Sequence, residues 1–284
     1  MIDDLSSGSK VNLSQHEGNK NLRFKHASIL DTPKLKEAMK DSERVFHEAA
    51  IVSSEYATEN PIQTSNINVQ GTLNLLETAR QLDLEHLTYA SSAAVYGATN
   101  DPPVNEEAPT KPLSPYGASK LSAELFVQAY HATYGLKTTA LRYFNVYGPR
   151  QVQNPYSGVI TIFLQRLSAG KSLEIQGDGE QTRDFIYVSD VAAANLKAAS
   201  TKQASGQVLN IATGKPTSIN ELADILGKIT ELNVVRKKIP PRPGDIRFSY
   251  ADTRRAENIL GLKADVSFRD GLRYYVKWLT KATS

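Results

Sequence analysis

The 284-residue sequence contains no cysteine. This absence excludes disulfide bonds, a catalytic thiolate and cysteine-ligated metals, and we expect no metal site. No stretch approaches the ~18 consecutive apolar residues of a membrane-spanning helix. The first residues, Met1-Ile2-Asp3-Asp4, include two acids and no apolar core, unlike a signal peptide. These absences predict a cytoplasmic protein with no membrane partner.

Blocks of like charge are also missing. The chain carries 33 basic and 30 acidic residues, so its net charge is +3, and both signs are spread along its length. A protein that binds nucleic acid through its charge would show basic tracts or patches. We therefore expect no nucleic-acid partner, and a surface on which the charges are mixed and solvated.

The sequence does contain strand-length apolar runs that alternate with longer helical patterns. These segments are Val45–His47, His86–Ala90 and Thr138–Tyr143 as strands, and Thr64–Leu82 and Ser114–Tyr134 as helices. In the second helix Ser114 is a candidate N-cap, Pro115 occupies the first position and Gly135 follows the end. The alternation predicts βαβ units, and hence an α/β, Rossmann-like, doubly wound parallel sheet with helices on both faces.

After about residue 150 the pattern changes to shorter elements separated by glycine and proline. Helices are expected at Ile160–Ala169 and Ser218–Leu232, and strands at Asp184–Val191 and Val208–Ile211. We interpret residues 1–150 as a dinucleotide-binding domain and residues 151–284 as mainly a smaller α/β substrate-binding lobe. Some segments of this lobe are expected to return to the main sheet.

Tyr116 and Lys120 carry the strongest chemical signal, because residues four apart lie on one face of a helix. A free tyrosine is a poor base at neutral pH, but a neighbouring ammonium favours the phenolate and lowers the pKa of the phenol. Ser92 follows an apolar strand, at the strand end where ligands of open α/β sheets bind. Each feature alone also has an ordinary structural explanation: the spacing is common in helices, and serines often form turns after strands.

Three motifs in order strengthen the catalytic interpretation of these residues. They are Ser-Ser-Ala-Ala-Val-Tyr-Gly at 91–97, Ser-Pro-Tyr-Gly-Ala-Ser-Lys at 114–120, and Leu-Arg-Tyr-Phe-Asn-Val-Tyr-Gly-Pro-Arg at 141–150. Together they resemble the UDP-glucose 4-epimerase group of the extended short-chain dehydrogenase/reductases, in register from Ile2 to about Leu279. The resemblance implies that Tyr116 is the acid/base, that Lys120 binds the nicotinamide ribose and lowers the pKa of Tyr116, and that Ser92 binds the reacting sugar oxygen.

The resemblance also implies NAD as cofactor. Asp3 matches the acid that binds the adenosine ribose and disfavours the 2′-phosphate of NADP. The matching cofactor residues are Asp3, Ser28, Ile29, Ala49, Ala50, Asn68, Tyr116, Lys120 and Tyr143. Tyr143 is expected to pack near the nicotinamide, and Asn68 to be either structural or close to the cofactor.

A UDP-sugar is the implied substrate. The residues matching the family's substrate site are Ser92, Tyr116, Asn145, Arg183, Arg242, Asp245 and Ser249. Arginine suits phosphate because guanidinium donates bidentate hydrogen bonds, although Arg183 also has an adjacent acid, Asp184, with which it could pair. Ser249 matches a position beside the sugar's C2 substituent, where a small side chain leaves room for an N-acetyl group.

The implied reaction is epimerisation at C4 of a UDP-hexose, UDP-glucose/UDP-galactose and also UDP-GlcNAc/UDP-GalNAc, through a 4-keto intermediate. Ala93 and Ala94 replace the acids with which related dehydratases eliminate water. Two alternatives stay open: a non-catalytic nucleotide-sugar-binding relic, and another NAD-dependent enzyme such as a uronate 4-epimerase. Relatives dimerise through the helices that match Thr64–Leu82 and Ser114–Tyr134, so a homodimer is expected.

One family feature is missing from the sequence, namely an apolar strand followed by a Gly-x-x-Gly-x-x-Gly turn that binds the pyrophosphate. The sequence begins at what matches the end of the second strand, so roughly 30 residues of the Rossmann unit, its first strand and helix, are lacking. A miscalled start, a fragment and a genuinely short protein all remain open. In the last case the central strand's place in the sheet would be empty.

Overall fold

The computed structural model describes residues 1–98, 102–151, 158–241 and 246–282. The strands are β1 (Ile2–Asp3), β2 (Lys25–His26), β3 (Arg44–His47), β4 (His86–Ser92), β5 (Thr138–Tyr143), β6 (Asn145–Tyr147), β7 (Leu173–Gln176), β8 (Thr182–Tyr187), β9 (Val208–Ile211), β10 (Pro216–Ser218), β11 (Arg236–Ile239) and β12 (Phe248–Ser249). The helices are α1 (Thr32–Met39), α2 (Ser54–Glu59), α3 (Pro61–Ser65), α4 (Gly71–Gln81), α5 (Pro115–Tyr134), α6 (Val159–Ser168), α7 (Val188–Ser200), α8 (Ile219–Thr230), α9 (Arg254–Leu260) and α10 (Phe268–Ala282). No helix within these ranges has the length and apolar character that crossing a membrane requires.

A four-stranded parallel sheet in the order β3-β4-β5-β9 forms the centre of the fold. Every residue of β4 is buried, as expected for a strand covered on both faces. Helices α4 and α5 pack with α1 over one face, and α7 and α9 pack over the other. The predicted α/β, Rossmann-like parallel sheet is therefore confirmed, and Val208–Ile211 joins it from the C-terminal half of the chain.

A second, two-stranded parallel sheet holds β1 and β2. In the described residues no strand pairing joins this sheet to β3, which is the edge strand of the four-stranded sheet. The side chain of Phe46 on β3 is 42% exposed, unlike the side chains of the fully buried β4. The carboxyl ends of β1 and β3 nevertheless supply Asp3 and the segment Glu48–Ala50 to the predicted cofactor site.

The helix predicted over Thr64–Leu82 is correct in place but wrong in form. It begins earlier, with α3, and a π-helical segment at Asn66–Gln70 separates α3 from α4. A π turn places one extra residue in the helix, and such turns are frequent at functional sites. Here the turn contains Asn68, whose side chain is bonded to the loop after β3 and to α5.

Helix α5 is bounded as its sequence predicts. The Ser114 Oγ accepts from the Gly117 backbone N–H at 3.1 Å, and Gly135 ends the helix with a φ of 70°. A Cβ at Gly117 would lie 2.7 Å from the Ala94 carbonyl oxygen. The first turn of α5 thus contacts the backbone of the loop that follows β4, and this contact brings Tyr116 beside Ser92.

Helices α2 and α3 pack against α5, and most of the elements from β6 onward form a C-terminal lobe. Strand β8 lies between β10 and β12 and also pairs with β6, while β7 pairs with β11. Helices α6, α8 and α10 pack around a separate apolar core. The strand expected over Asp184–Val191 ends at Tyr187, because α7 begins at Val188.

Candidate active site

Ser92 and Tyr116 meet at the carboxyl edge of the central sheet. Ser92 ends β4, and Tyr116 lies in the first turn of α5. Burial raises the pKa of the Tyr116 phenol, and an interaction with the Ser92 side chain lowers it in part, so the two side chains lie close to each other. The predicted pairing of these two hydroxyls is thus present, and it can pass a proton to or from a third hydroxyl placed above it.

Lys120 lies one turn further along α5 and is buried. Its Nζ lies 4.4 Å from the centroid of the Tyr89 ring. Burial lowers the pKa of Lys120 to about 8, against the opposing effects of the Glu48 and Glu124 carboxylates. The Nζ of Lys120 lies over the Tyr89 ring, burial dominates the pKa of the Tyr116 phenol, and the expectation that Lys120 lowers this pKa stays a prediction.

A carboxylate, a phenol and an amide line the same edge. Glu48 follows β3, and its Oε1 accepts from the Tyr143 hydroxyl at 2.8 Å. The Tyr143 hydroxyl in turn accepts from Asn195 Nδ2 at 2.6 Å. Glu48 keeps exposed surface, but the protein atoms around its carboxyl desolvate it and raise its pKa. Asn195 was not singled out from the sequence, because it lies mid-helix on α7 with no motif around it.

Beneath this edge lies a buried ion pair that the sequence motifs did not assign. Arg142 donates to both oxygens of Glu124, with Nη2···Oε1 at 2.6 Å and Nε···Oε2 at 3.0 Å. Ser91 donates to Glu124 at 2.6 Å, and the Tyr96 hydroxyl accepts from Arg142 at 2.9 Å. The pair therefore ties α5 to β4 and β5, the two strands that carry Ser92 and Tyr143. Its signal was available: Glu124 lies four residues after Lys120, on the same helix face.

His47 completes the buried polar groups near Lys120. Its Nε2 lies 2.8 Å from the Thr72 Oγ1, while its Nδ1 has no hydrogen-bond partner among the described residues. Burial and the charge of Lys120 lower the pKa of His47 to about 3. The ring is therefore neutral at physiological pH and adds no charge to the site.

The predicted adenosine end of the cofactor site lies at the carboxyl ends of β1 and β2. Asp3 ends β1, and its Oδ1 accepts from the Leu5 backbone N–H at 2.7 Å, with Gly8 close to both carboxylate oxygens. Ser28 Oγ accepts from the Leu30 N–H at 3.2 Å. The side chain of Ile29 is buried in the core, so only its backbone remains for a ligand.

Asn68 uses its whole side-chain amide within the protein. Its Oδ1 accepts from the Ile51 N–H at 2.8 Å, and its Nδ2 donates to the Ile51 carbonyl and the Ser119 Oγ, both at 2.9 Å. Of the two roles expected for Asn68, these contacts favour the structural one. They hold the loop that contains Ala49 and Ala50 against helix α5.

The predicted substrate residues gather on three neighbouring strands of the C-terminal lobe. Asn145 on β6 is the register partner of Phe185 on β8, and Ser249 on β12 is that of Arg183. Arg183 Nη1 donates to the carbonyls of Thr182 and Ile246, at 2.8 and 2.7 Å. Arg242 and Asp245 lie outside the described residues.

Asp184 does not provide the ion pair that was the alternative explanation for Arg183. Its two carboxylate oxygens accept from backbone N–H groups of Thr213, Gly214 and Ala251 and from the Thr213 hydroxyl, at 2.6 to 3.3 Å. These bonds explain the complete burial of this acid. The adjacent charges therefore have separate roles, and Asp184 joins β8 to the segments after β9 and β12.

The donor set fits a dinucleotide at both ends. A carboxylate at the end of β1 suits a ribose diol, and Lys120 with Tyr116 suits a second ribose beside a reacting hydroxyl. The sequence contains no Gly-x-x-Gly-x-x-Gly turn to donate to a pyrophosphate between them. The hydride chemistry belongs to such a cofactor, and the residues described above bind, orient and move the proton.

Comparison with known proteins agrees with this geometry. A family model described as the NAD dependent epimerase/dehydratase family matches residues 1–212. A putative UDP-glucose 4-epimerase of Methanocaldococcus jannaschii is 41% identical over 98% of this chain and 89% of its own length.

Two solved structures are similar over nearly the whole chain. The UDP-glucose 4-epimerase of Thermotoga maritima with UDP-glucose has a TM-score of 0.94 and 36% identity, covering 100% of this chain and 91% of its own. The UDP-N-acetylglucosamine 4-epimerase of Methanobrevibacter ruminantium, in complex with UDP-N-acetylmuramic acid, has a TM-score of 0.94 and 38% identity, covering 99% and 90%.

Proposed function

Since the chain belongs to the NAD dependent epimerase/dehydratase family, we propose that it is a UDP-sugar 4-epimerase that interconverts UDP-glucose and UDP-galactose. Membership confirms the family resemblance read from the three motifs and the prediction of an NAD-dependent enzyme. The observation that carries the proposal is the placement of Ser92 and Tyr116 side by side at the carboxyl edge of the sheet, near a buried lysine.

The chain's own residues perform the proton chemistry. The Tyr116 phenolate takes the proton of the sugar's 4-hydroxyl, with Ser92 holding the same oxygen, and it returns that proton at the end of the cycle. Bound NAD would accept hydride from C4 and give it back to the opposite face of the 4-keto sugar. Ala93 and Ala94, in the turn directly after Ser92, place no carboxylate there for eliminating water, which supports epimerisation over dehydration.

Cofactor retention and turnover test this proposal together. We expect the purified chain to release NAD when it is denatured and to convert UDP-galactose to UDP-glucose. A chain that neither retains nor responds to NAD would support the alternative of a non-catalytic relic. Turnover of UDP-glucuronate without turnover of UDP-galactose would instead support a uronate 4-epimerase.

The small side chain of Ser249 favours a broad substrate range. Ser249 is half-buried on β12, beside Arg183 of β8. We therefore propose that UDP-GlcNAc and UDP-GalNAc are also substrates. Replacing Ser249 with tyrosine is expected to lower kcat/KM for the N-acetylated sugars at least tenfold, the scale of rejection by a filled pocket, with a smaller effect on UDP-galactose. Equal losses on both sugars, or no turnover of acetylated sugars by the parent, would contradict the proposal.

We also propose that two copies associate through helix α5 and its neighbours. Leu125 and Phe126 on α5 and Ile62 on α3 are exposed apolar side chains, with Ile62 78% exposed. Helix α3 packs against α5, and exposed apolar side chains on such neighbouring helices are what an interface between two copies would bury. Replacing Phe126 with aspartate is expected to convert a dimer into a monomer in light scattering, whereas Val11→Asp, at another exposed apolar residue, leaves the mass unchanged. A monomeric parent would overturn the proposal.

A further inference from the structure

Glu48 is the one acidic side chain in the described structure that is bonded to the predicted nicotinamide-side residue Tyr143. It follows directly after His47, the last residue of β3 and the register partner of Tyr89 on β4. Tyr143 is the register partner of Ser92. Because parallel strands end at one edge of the sheet, Glu48, Ser92 and Tyr143 belong to the same edge, above which the sugar must be oxidised.

The direction of the hydrogen bonds fixes the role of the carboxyl as an acceptor. Asn195 Nδ2 donates to the Tyr143 oxygen at 2.6 Å, so the single phenolic proton is directed to Glu48 Oε1, 2.8 Å away. The Tyr143 hydroxyl therefore holds the Glu48 carboxylate in place, and Asn195 on α7 holds that hydroxyl. An acceptor in this geometry is most stable when it is ionised.

The charged groups around this edge balance one another only while Glu48 is ionised, because removing its charge would leave Lys120 as an unpaired cation. Lys120 interacts with both Glu48 and Glu124, but Glu124 is already bonded to Arg142. His47 is neutral, because its pKa is about 3. The edge therefore holds one anion, Glu48, and one cation, Lys120, besides the internally balanced pair of Glu124 and Arg142.

We propose that Glu48 sets the oxidation state of the bound nicotinamide, by stabilising the positively charged oxidised ring over the neutral reduced ring. This inference rests on the proposed function. When the sugar is oxidised, its C4–H bond breaks, the hydride carries the electron pair to the ring, and the O4 proton passes to Tyr116. The ring thereby loses its positive charge, and a fixed anion nearby opposes that loss. Glu48 thus favours return of the hydride to the 4-keto sugar and a resting enzyme that holds NAD⁺.

The size of the effect follows from Coulomb's law. At a separation of about one Debye length, ~10 Å, and an effective dielectric constant of about 20, two unit charges change an equilibrium by about tenfold after partial screening. Charge placed near a redox cofactor is one of the means by which proteins adjust its electronics. Glu48 acts through its electrostatic field on the ring, and no proton transfer is assigned to it.

The test compares the affinities of NAD⁺ and NADH for the full chain and for Glu48→Gln at neutral pH, by calorimetry and by NADH fluorescence. Glutamine keeps an oxygen that accepts from Tyr143 and removes only the charge. We expect the preference for NAD⁺ over NADH to fall about tenfold, mainly through weaker NAD⁺ binding. After incubation with UDP-galactose, the near-ultraviolet absorbance of the variant should show a larger reduced fraction of bound cofactor.

Glu85→Gln is the matched control. Glu85 precedes β4 at the amino end of the same sheet, where it pairs with Arg44 on the surface. The Glu85→Gln substitution removes the same charge far from the site and should leave the NAD⁺/NADH preference unchanged. The inference is overturned if Glu48→Gln stays within about twofold of the parent in that preference, or if Glu85→Gln shifts it equally.

Failure of the proposed function and failure of this inference would give different results. A parent chain that binds neither NAD⁺ nor NADH overturns the proposed function and this inference with it. A parent that binds both and epimerises its substrate, while Glu48→Gln keeps the same preference and the same reduced fraction, overturns the inference alone.

Discussion

Replacing Tyr116 with phenylalanine is expected to lower kcat for UDP-galactose epimerisation by about 10²–10⁴-fold. The substitution removes the hydroxyl that lies beside Ser92 and can take the sugar's proton, and it keeps the aromatic ring. KM and NAD content should change little, because the phenyl ring still fills the same space. The measurement is steady-state turnover together with the NAD released on denaturation.

The pH profile separates this role from a structural one. Because burial raises the pKa of Tyr116, only a small fraction is phenolate at neutral pH, and activity of the parent should rise with pH. The rise should be absent from the residual activity of Tyr116→Phe. Tyr274→Phe, at an exposed tyrosine of α10, is the control and should retain parental turnover. A Tyr116→Phe variant with near-parental kcat would refute the assignment of the acid/base.

Replacing Glu124 with leucine is expected to lower the free energy of unfolding by about 3–5 kcal/mol, the usual range when one partner of a buried ion pair is removed. The variant leaves the guanidinium of Arg142, which is 5% exposed, without its bidentate partner. Ser91 loses the acceptor of its hydroxyl as well. Urea-induced unfolding, followed by circular dichroism, measures the change.

A double variant tests whether the loss of stability comes from the unpaired charge of Arg142. Glu124→Leu combined with Arg142→Met removes both charges and keeps apolar volume, so it should be more stable than Glu124→Leu alone. Glu77→Gln, at the exposed surface pair with Arg80, should not shift the unfolding midpoint measurably. If the double variant were less stable than the single one, the buried pair would not be the source of the loss.

Local signals predicted the elements around the site well. Helix α5 carries its N-cap, its first-turn proline and its terminal glycine in the sequence, and the structure uses all three. The central strands follow from apolar runs that are bounded by turn residues. The order of three motifs then placed Ser92 and Tyr116 together, because in a parallel sheet each strand end meets the start of the next helix.

Features that depend on contacts between residues far apart in the sequence could not be predicted from local signals. The π turn at Asn66–Gln70 follows a sequence with ordinary helical periodicity, and it is favoured by the bonds of Asn68 to Ile51 and Ser119. The orientation of Lys120 depends on the ring of Tyr89 and on two acids from different elements. The separate role of Asp184 depends on two loops that converge on one carboxylate.

Glycine at position 117 has a consequence for how precisely the two hydroxyls are spaced. Helix α5 and the loop after β4 touch there through main-chain atoms. A Cβ added at Gly117 would lie 2.7 Å from the Ala94 carbonyl oxygen. No rotatable side chain lies between helix α5 and this loop, so rotamer changes elsewhere have little effect on the distance between them. The distance between the main chains that carry the two proton-transferring oxygens is thereby set by direct contact between planar peptide units, which deform little.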